Sequence, residues 1–262
     1  TNTNSIIIMK NISRREAIKV AGSTIGLTAF GLPVYSSERK AERLSPDKKH
    51  KVLVIGAHPD DPETGCGGTM ILLAKAGYEV VSVYLTRGEA GIQGKTHDEA
   101  AQIRTAEALK ACEIIGARPV FLSQIDGSCE ITASRYQEVL NFIKKENPEL
   151  VLTHWPVDSH RDHRICSSLV YDAWLRMNRN FALYYFEVES GIQTENFAPT
   201  DFVDITDVRD EKHKACYCHV SQHIDEAFKE SHDMMEQFRG LQIRRKYGEA
   251  FIRHDQVPTA MF

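Results

Sequence analysis

The chain lacks an excess of positive charge. Its 262 residues include 32 Lys and Arg against 36 Asp and Glu, which gives a formal net charge of -4. A protein that grips nucleic acid by its phosphates shows the opposite balance, so the composition argues against a nucleic-acid partner. Six Cys occur at irregular spacings, and a chain of this length needs no disulfide framework. We therefore expect most of them to be small buried side chains.

Long apolar runs are also missing. The run at residues 20–33 is too short and too rich in Gly for a comfortable membrane span, so no stable span is predicted. The run follows the Arg14-Arg15 pair, and residues 10–36 together predict a twin-arginine export signal and a periplasmic location. The alternative is a surface extension on a cytoplasmic protein.

Three segments follow from this pattern. Residues 1–36 form an N-terminal extension, residues 37–49 are a polar linker, and residues 50–262 are expected to form one domain. In that domain, short apolar runs alternate with helical patterns. Continuous apolar strands that alternate with helices predict an α/β fold, a Rossmann-like, doubly wound and mostly parallel sheet flanked by helices. The predicted strands are 51–57, 79–86, 119–122, 149–153, 181–187 and 202–205, and the predicted helices are 67–77, 96–116, 132–147, 164–177 and 206–239.

No Gly-x-Gly-x-x-Gly turn follows the first predicted strand, which excludes the usual dinucleotide site. A first polar cluster stands there instead, at residues 57–61 (AHPDD), and a second cluster, at residues 160–163 (HRDH), comes after the fourth strand. Strands one and four flank the ligand crevice in the common doubly wound order. Both clusters are therefore expected at one edge of the sheet.

Together the clusters hold the ligands of a catalytic metal site. His58 and Asp61 are three residues apart in a turn constrained by prolines, and His163 can complete a set of three protein ligands. Such a set leaves the fourth position of Zn²⁺ to water, whose pKa the ion lowers to about 7. Mixed nitrogen and oxygen ligands also tolerate other divalent ions such as Fe²⁺, Co²⁺ or Ni²⁺.

Three further side chains of the clusters are not needed as ligands. Asp60 can act as the general base, and His160 can bind the oxyanion or protonate a departing amine. Asp162 can orient one of the two imidazoles. Either cluster alone is typical of a turn or a helix cap, whereas the two together indicate a catalytic site.

A third group of possible metal ligands lies near residue 218. On a continuous helix, Cys216, His219 and His223 would share one face while Cys218 points elsewhere. Only three ligands converge in that arrangement, so an ordinary packed helix is the favoured interpretation. His219 alone can still reach the crevice.

Two motifs resemble those of a known family. Residues 57–69 (AHPDDPETGCGGT) and residues 158–164 (DSHRDHR) are similar to the two signature motifs of the PIG-L/LmbE-like family of zinc-dependent N-acetylglucosaminyl deacetylases. The resemblance extends over residues 51–251. It implies a zinc-dependent N-deacetylase that acts on an N-acetylated amino sugar. The resemblance also implies that His58, Asp61 and His163 bind the zinc ion, that Asp60 is the general base, and that His160 faces the tetrahedral intermediate.

The same resemblance implies a set of substrate-binding residues. Arg104 and Asp126 match sugar-contacting positions, and Arg87 and His219 match less well. The substrate is then a small molecule or glycan that carries an N-acetylated amino sugar. Alternatives are an amidase for another N-acyl conjugate, a carbohydrate-binding protein without activity, and a metallophosphatase, for which a second set of metal carboxylates is missing. The sequence leaves the oligomeric state open, and a homo-oligomer is one of the alternatives.

Overall fold

The structure, a computed structural model, describes residues 50–188 and 192–254. The predicted twin-arginine signal at residues 10–36 and the linker at 37–49 lie outside these residues and stay predictions. In the described part of the chain, every helix is too short or too polar to cross a membrane.

One sheet organises the described residues. Its strands are β1 (Lys51–Gly56), β2 (Glu79–Tyr84), β3 (Arg118–Phe121), β4 (Leu150–His154), β5 (Ala182–Phe186), β6 (Asp201–Asp204) and β7 (Gly248–Arg253). Their order across the sheet is β3-β2-β1-β4-β5-β7-β6. The first five strands run parallel, and β7 runs antiparallel to both β5 and β6.

This arrangement confirms the predicted α/β fold with a doubly wound, mostly parallel sheet. The strand order reverses between β1 and β4, where the crevice was expected. The antiparallel strands at one edge of the sheet differ from the prediction, which has no strand at residues 248–253. That strand starts with Gly248-Glu249, two residues that are uncommon in strands, so its short apolar stretch gave a weak signal.

Both faces of the sheet are buried, as β1 illustrates. Leu53 and Ile55 face one apolar cluster, whereas Val52 and Val54 face the other. None of the four has measurable exposure. Each such side chain contributes about 1.5–3 kcal/mol when it is fully buried. The uninterrupted apolar run of this strand is thus explained by helices on both sides of the sheet.

The helices that cover the sheet are α1 (Asp61–Lys75), α2 (His97–Ile115), α3 (Ala133–Glu146), α4 (Arg161–Arg176), α5 (Arg209–Cys216), α6 (Ile224–Ala227) and α7 (Asp233–Gln242). A 3₁₀ turn (Val220–Gln222) precedes α6, and a π turn (Phe228–His232) joins α6 to α7. Helix α2 begins as predicted, at the capping box of Thr96 and Glu99, and ends at Gly116 in the left-handed conformation.

Two predicted helices needed correction. Helix α1 starts at Asp61, with Pro62 in the first turn, where proline is well tolerated, and it kinks at Cys66 (φ -151°, ψ 24°), directly before the predicted start at residue 67. The predicted helix 206–239 is broken after Cys216, and His223 adopts a left-handed conformation with φ of 52°. Cys216, His219 and His223 therefore do not share a helical face.

A buried charged network joins the second half of the chain to α1. The Lys212 Nζ atom lies 2.9 Å from Glu236 Oε1 and 2.9 Å from Glu249 Oε1, and the Lys212 side chain is 1% exposed. Glu249 also accepts hydrogen bonds from the backbone N–H groups of Gly68 and Thr69, each at 2.8 Å. One lysine thus bridges two buried carboxylates on different elements.

Removal of this lysine is expected to be strongly destabilising. In Lys212→Met, Glu236 and Glu249 lose their shared cation, and breaking a buried pair in this way costs about 3–5 kcal/mol. Lys75→Met is the control, because Lys75 pairs with Glu211 on the surface and such pairs contribute at most about 1 kcal/mol. Urea unfolding of both variants measures the difference, and equal losses would contradict the assigned role of Lys212.

Candidate active site

The site is built where β1 and β4 end side by side. His58 follows β1 by two residues, and the first turn of α1 brings Asp61 back towards it. His163 lies in the first turn of α4, after the loop that leaves β4. The two strand ends are in direct contact, since the Ala57 N–H donates to His154 Nε2 at 3.0 Å. The parallel pairing of the two strands thus brings both polar clusters together.

Donor atoms of the three predicted ligands lie close together, with one Asp61 oxygen facing each imidazole. His58 Nδ1 lies 3.4 Å from Asp61 Oδ2, His163 Nε2 lies 3.3 Å from Asp61 Oδ1, and the two imidazole nitrogens are 3.3 Å apart. All three side chains are buried.

These separations fit a tetrahedral ion. Zinc binds nitrogen and carboxylate oxygen at about 2.0–2.2 Å, so two ligands of a tetrahedral site are about 3.3–3.6 Å apart. The donor set also fits chemically, because two imidazoles and one carboxylate leave one position open. His58, Asp61 and His163 could therefore hold one divalent ion. Other combinations within reach use His160 or His154 in place of one of these three.

Carboxylates hold the second nitrogen of each imidazole. His58 Nε2 lies 3.0 Å from Asp126 Oδ1 and 3.3 Å from Asp162 Oδ2. His163 Nδ1 lies 3.2 Å from Asp158 Oδ1. Such carboxylate–imidazole pairs fix the ring orientation and raise the basicity of a metal ligand. Asp162 stands where the sequence predicted an orienting role, whereas Asp158 was not singled out.

The carboxylates give the pocket a strong affinity for positive charge. Burial opposes the charged form of His163, but Asp61 and Asp158 outweigh it and raise the pKa of His163 to about 9. Burial also opposes the ionised form of Asp61, yet His163 and His154 hold the pKa of Asp61 well below its ordinary value. Asp61 is therefore ionised at neutral pH.

Asp60 is held in a strained conformation beside these donors. Its φ of 116° is rare for any residue but glycine and costs about 1–3 kcal/mol. Its Oδ2 accepts a hydrogen bond of 2.8 Å from Arg104 Nη2, which also donates to the Pro59 carbonyl. Burial raises the pKa of Asp60 to about 7, although Arg104 acts against the rise. A carboxylate with such a pKa can both accept and return a proton near neutral pH.

His160 lines the cavity beside the donors. Its Nδ1 accepts the Asp162 backbone N–H at 3.2 Å, so the neutral ring carries its proton on Nε2. Burial and the neighbours His58 and His163 lower the pKa of His160, which keeps the ring neutral at pH 7. The ring can therefore donate a hydrogen bond from Nε2 into the cavity.

His154 is a site residue that the sequence did not reveal. Its Nε2 lies 3.1 Å from Asp61 Oδ2, and its ring stacks on His163 with centroids 4.0 Å apart. Burial lowers the pKa of His154 to about 4, so the ring is neutral. His154 supports two predicted ligands from below, at the end of β4. A single histidine after a strand has no spacing pattern that would have marked it.

The donors open into a cavity of about 390 Å³. Arg104 and Asp126, which the resemblance implied as substrate-binding residues, line this cavity. Arg87 is exposed and hydrogen-bonded to Thr105, and His219 is fully buried, so neither belongs to the lining. Further lining residues that the sequence did not single out include Gln193, Gln222, Val188 and Ile224.

A second group of potential metal ligands lies apart from this cavity. His213 Nε2 is 2.9 Å from Glu236 Oε2 and 3.7 Å from Asp233 Oδ1. Arg209 pairs with both carboxylates, and Lys212 pairs with Glu236. Cations of the protein already neutralise these acids, so the group is a charged network of the fold.

Comparison with known proteins places these features in a family. The family model described as PIG-L, GlcNAc-PI de-N-acetylase, matches residues 53–174. The diacetylchitobiose deacetylase of Thermococcus kodakarensis is 34% identical over 188 residues, which cover 66% of this chain and 70% of that protein. The 4-oxalmesaconate hydratase of Pseudomonas putida is 28% identical over 241 residues, which cover 85% of this chain and 90% of that protein.

Solved structures agree with this relationship. The N,N'-diacetylchitobiose deacetylase of Pyrococcus horikoshii superimposes with a TM-score of 0.69 and 26% identity, over 78% of this chain and 83% of that chain. The chain belongs to the PIG-L family of N-deacetylases, which are metal-dependent amidohydrolases. The family predicted from the two motifs is thereby confirmed.

Metal affinity is expected to depend on the ligands and on the carboxylates behind them. Asp158→Asn removes the charge behind His163, and changes of this kind cost about 10- to 100-fold in metal affinity. Asp61→Ala removes a direct donor and should lose more. Competition with a chromogenic chelator measures both. Asp210→Asn, a change on an exposed aspartate, is the control and should bind as the wild type does. Wild-type affinity in Asp61→Ala would refute the proposed ligand set.

Proposed function

We propose that this protein is a zinc-dependent N-deacetylase that removes the acetyl group from an N-acetylated amino sugar. The observation that carries the proposal is the set of three donors, 3.3–3.4 Å apart, with the Asp60 carboxylate beside them at the same cavity. The deacetylase from Thermococcus kodakarensis gives independent support, because its name specifies an acetylated sugar as its substrate.

His58, Asp61 and His163 would hold the zinc ion. An ion at this position lowers the pKa of water to about 7 and polarises a carbonyl oxygen. Asp60 would accept the proton of the attacking water and later deliver it to the amine nitrogen that departs. A pKa of about 7 suits a group that performs both transfers. Arg104 would keep the Asp60 carboxylate in position through the bond to Oδ2.

His160 would stabilise the negative charge that develops on the carbonyl oxygen. A hydrogen bond from a preorganised donor to such an oxygen contributes strongly in a site that excludes water. The bond from the Asp162 N–H to Nδ1 supports this role, because it leaves the proton on the nitrogen that is free to donate.

The cavity wall suits an uncharged sugar. Asp60, Asp61 and Asp126 contribute three carboxylates to the lining, and its basic side chain is Arg104. Arg104 Nη2 is bound to Asp60, and Arg104 Nη1 lies 3.9 Å from Asp126 Oδ2. No lysine or other arginine of the described residues lines the cavity to pair with an anionic substrate. Hydroxyl groups, in contrast, can donate to these carboxylates and to the side-chain oxygen of Gln222.

A second candidate function is the addition of water to a carbon–carbon double bond. It is favoured by the hydratase of Pseudomonas putida, which matches 85% of this chain. The same donors and the same base could activate water for such an addition. An acidic substrate such as oxalmesaconate would, however, find no lysine and no arginine other than the Asp60-bound Arg104 among the described lining residues, so we rank this function second.

Substrate tests separate the two candidates. The purified protein is expected to release acetate from N,N'-diacetylchitobiose or N-acetylglucosamine, to lose this activity with a chelator, and to regain it with Zn²⁺. N-acetylglucosamine 6-phosphate should react more slowly, because no lysine or further arginine of the described residues lines the cavity to pair with its phosphate. Hydration of 4-oxalmesaconate without any acetate release would reverse the ranking.

Replacement of Asp60 tests the assigned proton transfer. Asp60→Asn keeps the size of the side chain but removes its basicity, so kcat is expected to fall by about 10²- to 10⁴-fold. The metal content should not change, because the three donors remain. Asp98→Asn is the control, since Asp98 is exposed in the first turn of α2. Near-normal kcat in Asp60→Asn would remove Asp60 from the mechanism.

A further inference from the structure

The backbone of Asp60 needs a restraint that the predicted site residues do not supply. Arg104 fixes its carboxylate, but φ of 116° and ψ of -31° must be held by contacts to the main chain. One such contact is a hydrogen bond from the Asp60 N–H to Glu63 Oε2 at 3.2 Å. The Asp60 carbonyl oxygen accepts a bond of 2.8 Å from the Thr64 N–H. Glu63 and Thr64 thus hold the two ends of the residue.

Glu63 is anchored deep in the protein. Its side chain has no exposed surface. The Oε1 atom accepts a hydrogen bond from the Tyr84 hydroxyl group, and the Ser82 hydroxyl group lies 3.4 Å from the same oxygen. Both partners belong to β2, a mostly buried strand that lies between β3 and β1 in the sheet. Glu63 therefore connects the backbone of Asp60 to the interior of the sheet.

The surroundings of Glu63 are unusual for a buried acid. Among residues 50–188 and 192–254, no lysine or arginine forms an ion pair with it. Within the part of the chain that the structure describes, the buried His219 has its Nε2 3.7 Å from Glu63 Oε2, and its two nitrogens have no hydrogen-bond partner there. A buried acid without a cationic partner lowers stability, so packing alone does not account for it. Its Oε2 atom reaches the proposed general base through the bond to the Asp60 N–H.

We propose that Glu63 is a positioning residue that locks the backbone of Asp60 so that its carboxylate faces the cavity. His219 lies beside the Glu63 carboxylate, with its Nε2 3.7 Å from Glu63 Oε2. The proposal rests on the proposed function in one respect, the role of Asp60 as the general base. The restraint itself is a property of the fold and can be measured without a substrate.

The test replaces Glu63 by residues that remove or keep the acceptor for the Asp60 N–H, and a separate variant accounts for the bond to Tyr84. Glu63→Met fills the same space but offers no acceptor to the Asp60 N–H. We expect kcat to fall about 100-fold, as for other misplaced catalytic groups, with KM and metal content nearly unchanged. The Asp60 amide should also exchange its hydrogen faster with the solvent. Glu63→Gln keeps an acceptor oxygen and should retain most of the wild-type kcat.

Tyr84→Phe is the matched control. It removes a hydrogen bond to the other oxygen of Glu63 and leaves the bond to Asp60 intact. If Glu63→Met lowers kcat and speeds amide exchange at Asp60 no more than Tyr84→Phe does, the proposal is wrong. If Glu63→Met does not fold, Glu63→Asp replaces it, because the shorter side chain withdraws the acceptor but keeps the charge. Wild-type kcat and wild-type exchange in a folded Glu63→Asp would likewise overturn the proposal.

The exchange measurement separates this inference from the proposed function. A wild-type protein that releases no acetate would refute the deacetylase assignment. Faster exchange at Asp60 in Glu63→Met would still demonstrate the restraint. Unchanged exchange in an active wild-type background would refute the restraint and leave the deacetylase assignment intact.

Discussion

The parallel pairing of β1 with β4 is the contact on which the site depends. In this pairing Ile55 lies opposite Thr153, so two segments about a hundred residues apart leave the sheet side by side. A shift of one residue would exchange Leu53 and Ile55 with Val52 and Val54 between the two apolar clusters, because side chains alternate along a strand. The close packing of differently shaped side chains in the two clusters therefore opposes such a shift. The register in turn fixes the distance between His58 and His163, so the core determines the geometry of the donors.

The electrostatics of the site follow from the number of carboxylates that surround the two imidazoles. Asp126 and Asp162 stand behind one imidazole, and Asp158 stands behind the other. Buried carboxylates at this density are tolerable only where positive charge compensates for them. The result is a pocket that suits a cation and holds both rings in a fixed orientation.

Local signals explain what could be predicted from the sequence. An apolar run that stops at His58 marked both β1 and the first polar cluster, and the capping box at Thr96 marked the start of α2. Residues that act through three-dimensional contacts left no such mark. Glu63 stands in a helix that begins earlier than the pattern indicated, and His154 ends a strand without a partner at a regular spacing. Their roles depend on side chains that are distant in the sequence.

The loop after β2 encloses the Arg104 side chain closely. A methyl group added at Gly88 would lie 2.4 Å from Arg104 Cδ, and one added at Gly91 would lie 2.3 Å from Arg104 Nη1. The Gly91 carbonyl oxygen also accepts a hydrogen bond from Gln222. In relatives with a larger residue at either glycine position, we expect a smaller side chain at the position of Arg104. Such a lineage would need another way to hold the carboxylate of Asp60, and covariation among these positions would record that history.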